Sequence, residues 1–296
     1  EYLKPSISAD GEIVYILGVL SSERHQATLL ELQFEGGTSE MAWLIPADEV
    51  QYDNEKAYEL TEFEGLPMAI CRTFRASPET SEDLNAFVRD AELLRQKDIV
   101  LLDVRSNPGG TIQHGQEFCR RIAMVDPGPF TMTANLLTDT ALVLRMNQQA
   151  AADSRTDWLA RTKKERDHLI DPELPGWNIS VSLGECAKDT PFILVLMNDN
   201  TASAAEALIR CLCSMRNVVL IGTNTGGALL TGNAGLLRLP HSGIAVRIPT
   251  MIWMDAELRN LDGIGYFPDF WVHPDAAENA AAFVRRYVVK QPVSEH

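Results

Sequence analysis

The sequence predicts an α/β fold of parallel strand units preceded by a small β-rich part. Two continuous apolar runs, "DIVLLDV" at 98–104 and "PFILVLM" at 191–197, have the length and composition of strands covered on both faces. Each belongs to a strand–helix–strand unit, in which the strands run parallel and the crossover is right-handed. The first 66 residues instead show short apolar stretches between polar and Gly-rich breaks, a β pattern.

In chain order, "EIVYILGVL", "ATLLELQF" and "MAWLIPADEV" are the strands of the opening part. "LPMAICRTF" from Leu66 is the first strand of the first unit. "SEDLNAFVRDAELLRQ" then places Leu84, Phe87, Val88, Ala91 and Leu94 on one helical face, with Thr80 or Ser81 as its cap. "DIVLLDV" closes the unit. "PFILVLM", the helix "SAAEALIRCLCSM" with Leu208, Leu212 and Met215 on one face, and "NVVLIG" make the second. The organisation expected is a β-rich subdomain at 1–66 and a core at 67–296, with a helical insertion at about 127–190. Within the insertion, the charged helical stretch 147–170 reads as a surface lid or substrate wall.

Composition narrows the function. The net charge of −15, from 41 acidic and 26 basic side chains, argues against nucleic acid, whose phosphates need clustered Lys and Arg. No run approaches the ~18 apolar residues of a membrane helix. Five cysteines without regular spacing form neither a disulfide framework nor a zinc pattern, and Cys211 and Cys213 read as helix residues. The chain opens at Glu1 without a charged-then-apolar leader, which decides nothing about location.

Three loops follow three strands, and ligands in open α/β sheets gather at the carboxyl ends of strands. "DVRSNPGG" ends in Gly109 and Gly110, which allow a backbone with outward amides, or simply a Pro-Gly turn. "NDNTASAAE" puts Ser203 at a helix start, where its hydroxyl either caps the helix or acts as a nucleophile with the Ala204 amide beside it. "GTNTGGALLTGN" is Gly-rich, but it contains no phosphate-binding loop. Dinucleotide and metal motifs are absent, so no cofactor and no metal is expected.

Together "DIVLLDVRSNPGG", "NDNTASAAE", "VVLIGTNTGG" and "GIGYFPD" resemble, in order, the signatures of the C-terminal-processing (tail-specific) serine peptidases. That family includes the tricorn core protease and the repeats of interphotoreceptor retinoid-binding protein. The resemblance covers about residues 66–275 and implies a crotonase-like α/β spiral core, shared with the Clp peptidase. It assigns Ser203 as nucleophile, and Ala204 with the Gly109–Gly110 pair as oxyanion hole. It also implies a polypeptide substrate and a location outside the cytoplasm.

The resemblance fails at the base, without which a serine hydroxyl is inert. In the processing branch this is a Lys in the third loop 25 residues after the Ser, a count that ends on Ala228. No Lys occurs in 191–279. The tricorn branch uses a His on the strand before the first helix, where this chain has Cys71 and Arg72. An acid near the closing Gly-x-x-Pro-Asp is present as Asp262. Among His25, His114, His168, His241, His273 and His296, His114 follows the glycines by four residues and is the candidate base. His241 reads as a turn residue, and Asp103 and Arg105 as a pair bracing the first loop. Glu206, one turn into the Ser203 helix, either orients the site or answers the helix dipole.

Three functions are expected in descending order. The first is a serine peptidase using Ser203, His114 and Asp262 with the Gly109, Gly110 and Ala204 amides. The second is an inactive binding module for peptide or apolar ligands. The third is acyl-CoA chemistry of the crotonase kind.

Overall fold

A computed structural model describes residues 3–18, 28–33, 35–44, 56–129, 131–148, 176–187, 189–255 and 258–289. The elements begin with two hairpins, β1 (Leu3–Ile7) with β2 (Ile13–Leu17) and β3 (Thr28–Gln33) with β4 (Ser39–Leu44). Then come β5 (Tyr58–Phe63), β6 (Leu66–Cys71), α1 (Ser81–Leu94), β7 (Ile99–Asp103) and α2 (Ile112–Ala123). They are followed by β8 (Thr131–Leu136), α3 (Asp139–Gln148), β9 (Trp177–Ser182), β10 (Phe192–Met197), α4 (Ala204–Leu212) and β11 (Val218–Gly222). The rest is β12 (Thr231–Gly232), β13 (Gly235–Arg238), β14 (Ala245–Ile248), β15 (Met251–Asp255), β16 (Phe270–Trp271) and α5 (Ala276–Phe283), the last running into a π-helical turn at Val284–Val288.

The chain folds as α/β. Six strands form a central sheet in the order β16-β11-β10-β7-β6-β5. Its strands are parallel from β16 to β6, and β5 closes the edge as the antiparallel arm of a hairpin. Both strand–helix–strand units therefore have the parallel geometry expected of them. The apolar runs are continuous because each face of the sheet is covered. Val100, Leu102, Ile193, Val195 and Met197 pack with α1, α2 and α4, while Leu101, Leu194 and Leu196 face α5 and Ile7. A fully buried side chain of this size contributes roughly 1.5–3 kcal/mol.

The α1 face closes as expected on Leu84, Phe87, Ala91 and Leu94, with Val88 half-buried against it. Thr80 sits at the N-cap, but its hydroxyl donates to Arg75 O at 2.7 Å and ties the preceding turn instead of capping the helix. The helix α2 is absent from the expectations above. Its buried Gly115, Phe118, Cys119 and Ile122 recur at helical spacing, although short polar stretches interrupt them. Phe118 stacks flat on Phe87, with centroids 4.3 Å apart, so α1 sets the place of α2.

A second sheet, β12-β15-β8-β9, is antiparallel and draws β8 and β9 from the insertion. Most of the charged stretch expected to be helical, with His168, lies outside the described residues, as do His25 and His296. Among the described residues no helix is long and apolar enough to cross a membrane.

Candidate active site

The loops leaving β7, β10 and β11 meet at one end of the central sheet and are tied mainly through polar atoms. Thr201 donates its hydroxyl to Val104 O at 2.9 Å, and the Ser106 amide donates to Asn198 Oδ1 at 2.7 Å. The Ala202 amide reaches Asn107 O at 2.9 Å, and the Gly226 amide reaches Thr201 O at 2.9 Å. Asn107, fully buried, donates to Cys71 O at 3.0 Å and accepts the Gly109 amide at 2.9 Å. Buried polar groups of this kind are costly unless bonded, so the network specifies one arrangement of the loops.

Ser203 is the residue before α4 and has φ 56° and ψ −115°, a backbone rarely adopted by a residue with a side chain. Such strain costs about 1–3 kcal/mol and is held only by surrounding contacts. The first loop supplies those contacts. A Cβ on Gly109 would lie 2.6 Å from Ala202 O, 2.7 Å from Ala204 N and 2.9 Å from Ser203 Cβ. Only glycine permits this approach, and Gly109 has φ +88° as well. Gly110 is pressed as closely against Phe74. The Gly109 amide is engaged by Asn107, whereas the Gly110 and Ala204 amides have no acceptor among the described residues.

Glu206, fully buried, holds the second and third loops together. Its Oε2 accepts the Ser203 amide at 2.8 Å and the Ala228 amide at 2.8 Å. Its Oε1 accepts the Thr225 hydroxyl at 2.6 Å and the Gly227 amide at 2.9 Å. Glu206 thus completes a capping box with Ser203, whose hydroxyl faces the Glu206 amide without a cap hydrogen bond of normal geometry. Orienting the site and answering the dipole are therefore one arrangement. Ala228, the position counted for a Lys base, is brought to Ser203. Its amide nitrogen and that of Ser203 share one oxygen and lie no more than twice 2.8 Å apart.

His114 is in the first turn of α2, and its Nδ1 is buried without a hydrogen-bond partner. Gly115 beside it lets α2 touch α4, since a Cβ there would stand 3.2 Å from Leu208 Cβ. Asp262 accepts the Leu230 amide on Oδ1 at 2.9 Å and so fastens the third loop. No hydrogen bond joins Asp262 to His114 or either of them to Ser203 among the described residues. His241 lies in a turn, exposed.

The expected Asp103–Arg105 pair is present and larger than expected. Asp103, fully buried, accepts Arg105 Nε at 2.9 Å and Nη2 at 2.8 Å, and Arg72 Nη2 at 2.7 Å. Burial alone would raise its carboxyl, but the two guanidiniums outweigh burial and hold it below the usual carboxylate range. Arg72 Nη1 also donates to Arg105 O at 2.9 Å. Arg72 is therefore built into the bracing of the first loop. Burial pushes the neighbouring Cys71 thiol up to about 12, so it is protonated at neutral pH. Among the described residues no group of three His, Cys, Asp or Glu is placed to hold a metal.

The loop ties through Asn107, Asn198 and Thr201 escaped the sequence reading, because single polar residues in loops carry no periodic signal. Their position after the strands was the only cue.

The model of peptidase family S41 matches residues 59–272, which includes all three loops. A carboxyl-terminal-processing protease of Synechocystis sp. is 27% identical over 191 residues, 62% of this chain and 34% of that protein. The chain thus spans about a third of the length of that curated relative. Among solved structures, the photosystem II D1 C-terminal processing protease aligns with TM-score 0.45 at 18% identity, over 86% of this chain and 57% of the other. Mature CPAF aligns with TM-score 0.47 at 13% identity, over 88% and 65%. The tricorn protease aligns with TM-score 0.32 at 13% identity, over 83% and 20%. With the match running from β5 through β16, the chain belongs to peptidase family S41.

Proposed function

We propose that the chain is a serine peptidase that hydrolyses polypeptides near their C-termini. The observation that carries this reading is Ser203, strained at the start of α4 and pressed against Gly109 next to the open Ala204 amide. In this reading the Ser203 hydroxyl attacks a peptide carbonyl. The Gly110 and Ala204 amides, both without acceptors among the described residues, receive the developing oxyanion near the positive end of α4. Gly109 contributes by shape, since its own amide is held by Asn107.

His114 takes the proton and returns it to the leaving amine. Its unbonded Nδ1 supports this role, because an orphaned buried nitrogen calls for a partner that substrate or a small helix movement can supply. Asp262 orients the imidazole through Oδ2, which has no partner among the described residues. A location outside the cytoplasm stays part of this reading and rests on the family resemblance.

The second reading is an inactive module that binds peptide or an apolar ligand, and Ala228 in the place of a Lys favours it. Fluorophosphonate labelling of the purified chain, mapped by mass and compared with Ser203→Ala, separates the two. Label confined to Ser203 is expected. No label between pH 6 and 9 would refute the peptidase and leave the binding module.

A further inference from the structure

A cavity of about 280 Å³ lies between α2, α4 and the β12-β15-β8-β9 sheet. Its sheet wall follows from the register. Thr131 pairs with Ser182 and Thr133 with Trp253, which puts all four side chains on the face turned to the helices. Gln116 and Arg210 line the opposite side.

Arg210 is 92% buried, being 8% exposed, and its guanidinium lies 4.5 Å from the centre of the Trp253 ring. It forms no ion pair with a carboxylate among the described residues, and its Nε is buried without an acceptor. A buried cation with no carboxylate in contact among the described residues is costly, and packing alone would be served better by an apolar side chain. Stacking on Trp253 satisfies a face of the guanidinium and leaves the N–H edge free for an anion.

We propose that this cavity is a carboxylate-binding subsite of the substrate cleft, with Arg210 as its cation. The planar fork of Arg suits a carboxylate held by two parallel bonds. Gln116 and Ser182, whose side chains make no hydrogen bond among the described residues, supply further donors at the walls. Asp126 at the rim, 3.4 Å from Arg120, works against a doubly charged anion such as phosphate. The volume is below the ~300 Å³ at which sites for whole small molecules begin, so it fits an end group of a longer ligand. Arg210 follows Ser203 by seven residues, which places it on the same side of α4 and about 10 Å further along the axis. Gln116 follows His114 by two residues on α2. The helices carrying the proposed nucleophile and base thus also wall the cavity. That the carboxylate belongs to a peptide rests on the peptidase reading; that an anion binds does not.

The test uses Ser203→Ala protein and calorimetry with three acetylated hexapeptides of sequence Ala-Ala-Ala-Leu-Ala-Ala. One has a free C-terminus, one is amidated, and one is amidated with Glu replacing the fifth residue. The free acid is expected to bind at least ten-fold more tightly than the amide. Arg210→Met should abolish that preference without loss of thermal stability, and Arg210→Lys should retain part of it. Tight binding of the Glu peptide would assign the carboxylate to a side chain instead of the terminus, and the subsite would stand. Affinities of the free acid and the Glu peptide both equal to that of the plain amide, or a preference that survives Arg210→Met, would overturn the proposal. If Arg210→Met fails to fold, the acid-to-amide ratio on the native Arg210 background decides alone. Hydrolysis is assayed separately on the native chain: an acid preference in Ser203→Ala with no cleavage of the same peptides by the native chain would defeat the peptidase reading and keep the anion site.

Discussion

Replacing Glu206 by Gln tests whether one carboxylate holds the second and third loops in register. Gln keeps the volume but turns one acceptor oxygen into a donor. With the new nitrogen at the Oε2 position, the Ser203 and Ala228 amides both lose their acceptor. At the Oε1 position only the Gly227 amide is stranded, because the Thr225 hydroxyl can turn and accept. The second choice is cheaper. One buried amide without an acceptor costs about 1–3 kcal/mol, and the bonds that remain lose the strengthening a charge gave them. The expected loss is about 2–4 kcal/mol, or a fall in Tm of roughly 5–15 °C. Urea unfolding at pH 7 measures the first figure. Fluorophosphonate labelling well below the transition should also slow, since the Ser203 amide and the Ala228 loop lose their common anchor. A loss under about 0.5 kcal/mol with labelling unchanged would show that the loops hold their places without Glu206, and the reasoning would be wrong.

Other perturbations separate strain, charge and chemistry. Ser203→Gly should be more stable than Ser203→Ala by about 1 kcal/mol in urea unfolding, because glycine accepts φ 56° and alanine does not; equal stabilities would deny the strain. Asp103→Asn leaves Arg72 and Arg105 buried beside a neutral group and should cost about 3–5 kcal/mol at pH 7. The Asp103 carboxyl is held below its unfolded value, so its stabilisation is full above the ordinary carboxylate range and drains as pH falls through the folded value. The gap between wild type and Asp103→Asn should therefore narrow in acid, and a constant gap from pH 7 to 3 would contradict the pairing. Gly109→Ala should abolish Ser203 labelling, since its Cβ would stand 2.6 Å from Ala202 O; retained labelling would remove the first loop from the site. Ala228→Lys places an amine near Ser203 at an exposed position, so stability should change by less than about 0.5 kcal/mol while labelling quickens at alkaline pH. Slower labelling would mean that the loop points this side chain away from Ser203.

What could be read from the sequence follows from which physical rules are periodic. The parallel units were legible because burial on both faces writes uninterrupted apolar runs, as at 98–104 and 191–197. The α1 face was legible through its spacing of three and four, and Ser203 through its place between strand and helix. The helix α2 was not, since Gln113, Gln116, Glu117 and two arginines break up a narrow apolar stripe. Partners distant in the chain were equally hidden. Arg72 and Asp103 are separated by 31 residues and Glu206 and Ala228 by 22, and no local pattern ties either pair. The sequence could show that no Lys occurs in 191–279, but only the fold shows that the Ala228 and Ser203 amides share one carboxylate oxygen.

The third loop is fastened at Gly226, Gly227 and Ala228 by main-chain amides, and the Ala228 methyl takes no part. A residue held by its backbone is free to change its side chain while the loop keeps its path. The Ser203 side enjoys no such licence, because Gly109, Gly110 and Ser203 are each fixed by a steric or dihedral demand. The site is therefore an unequal partnership. One half is bound to its residues by geometry, and in the other a side chain can be exchanged without the fold registering the change.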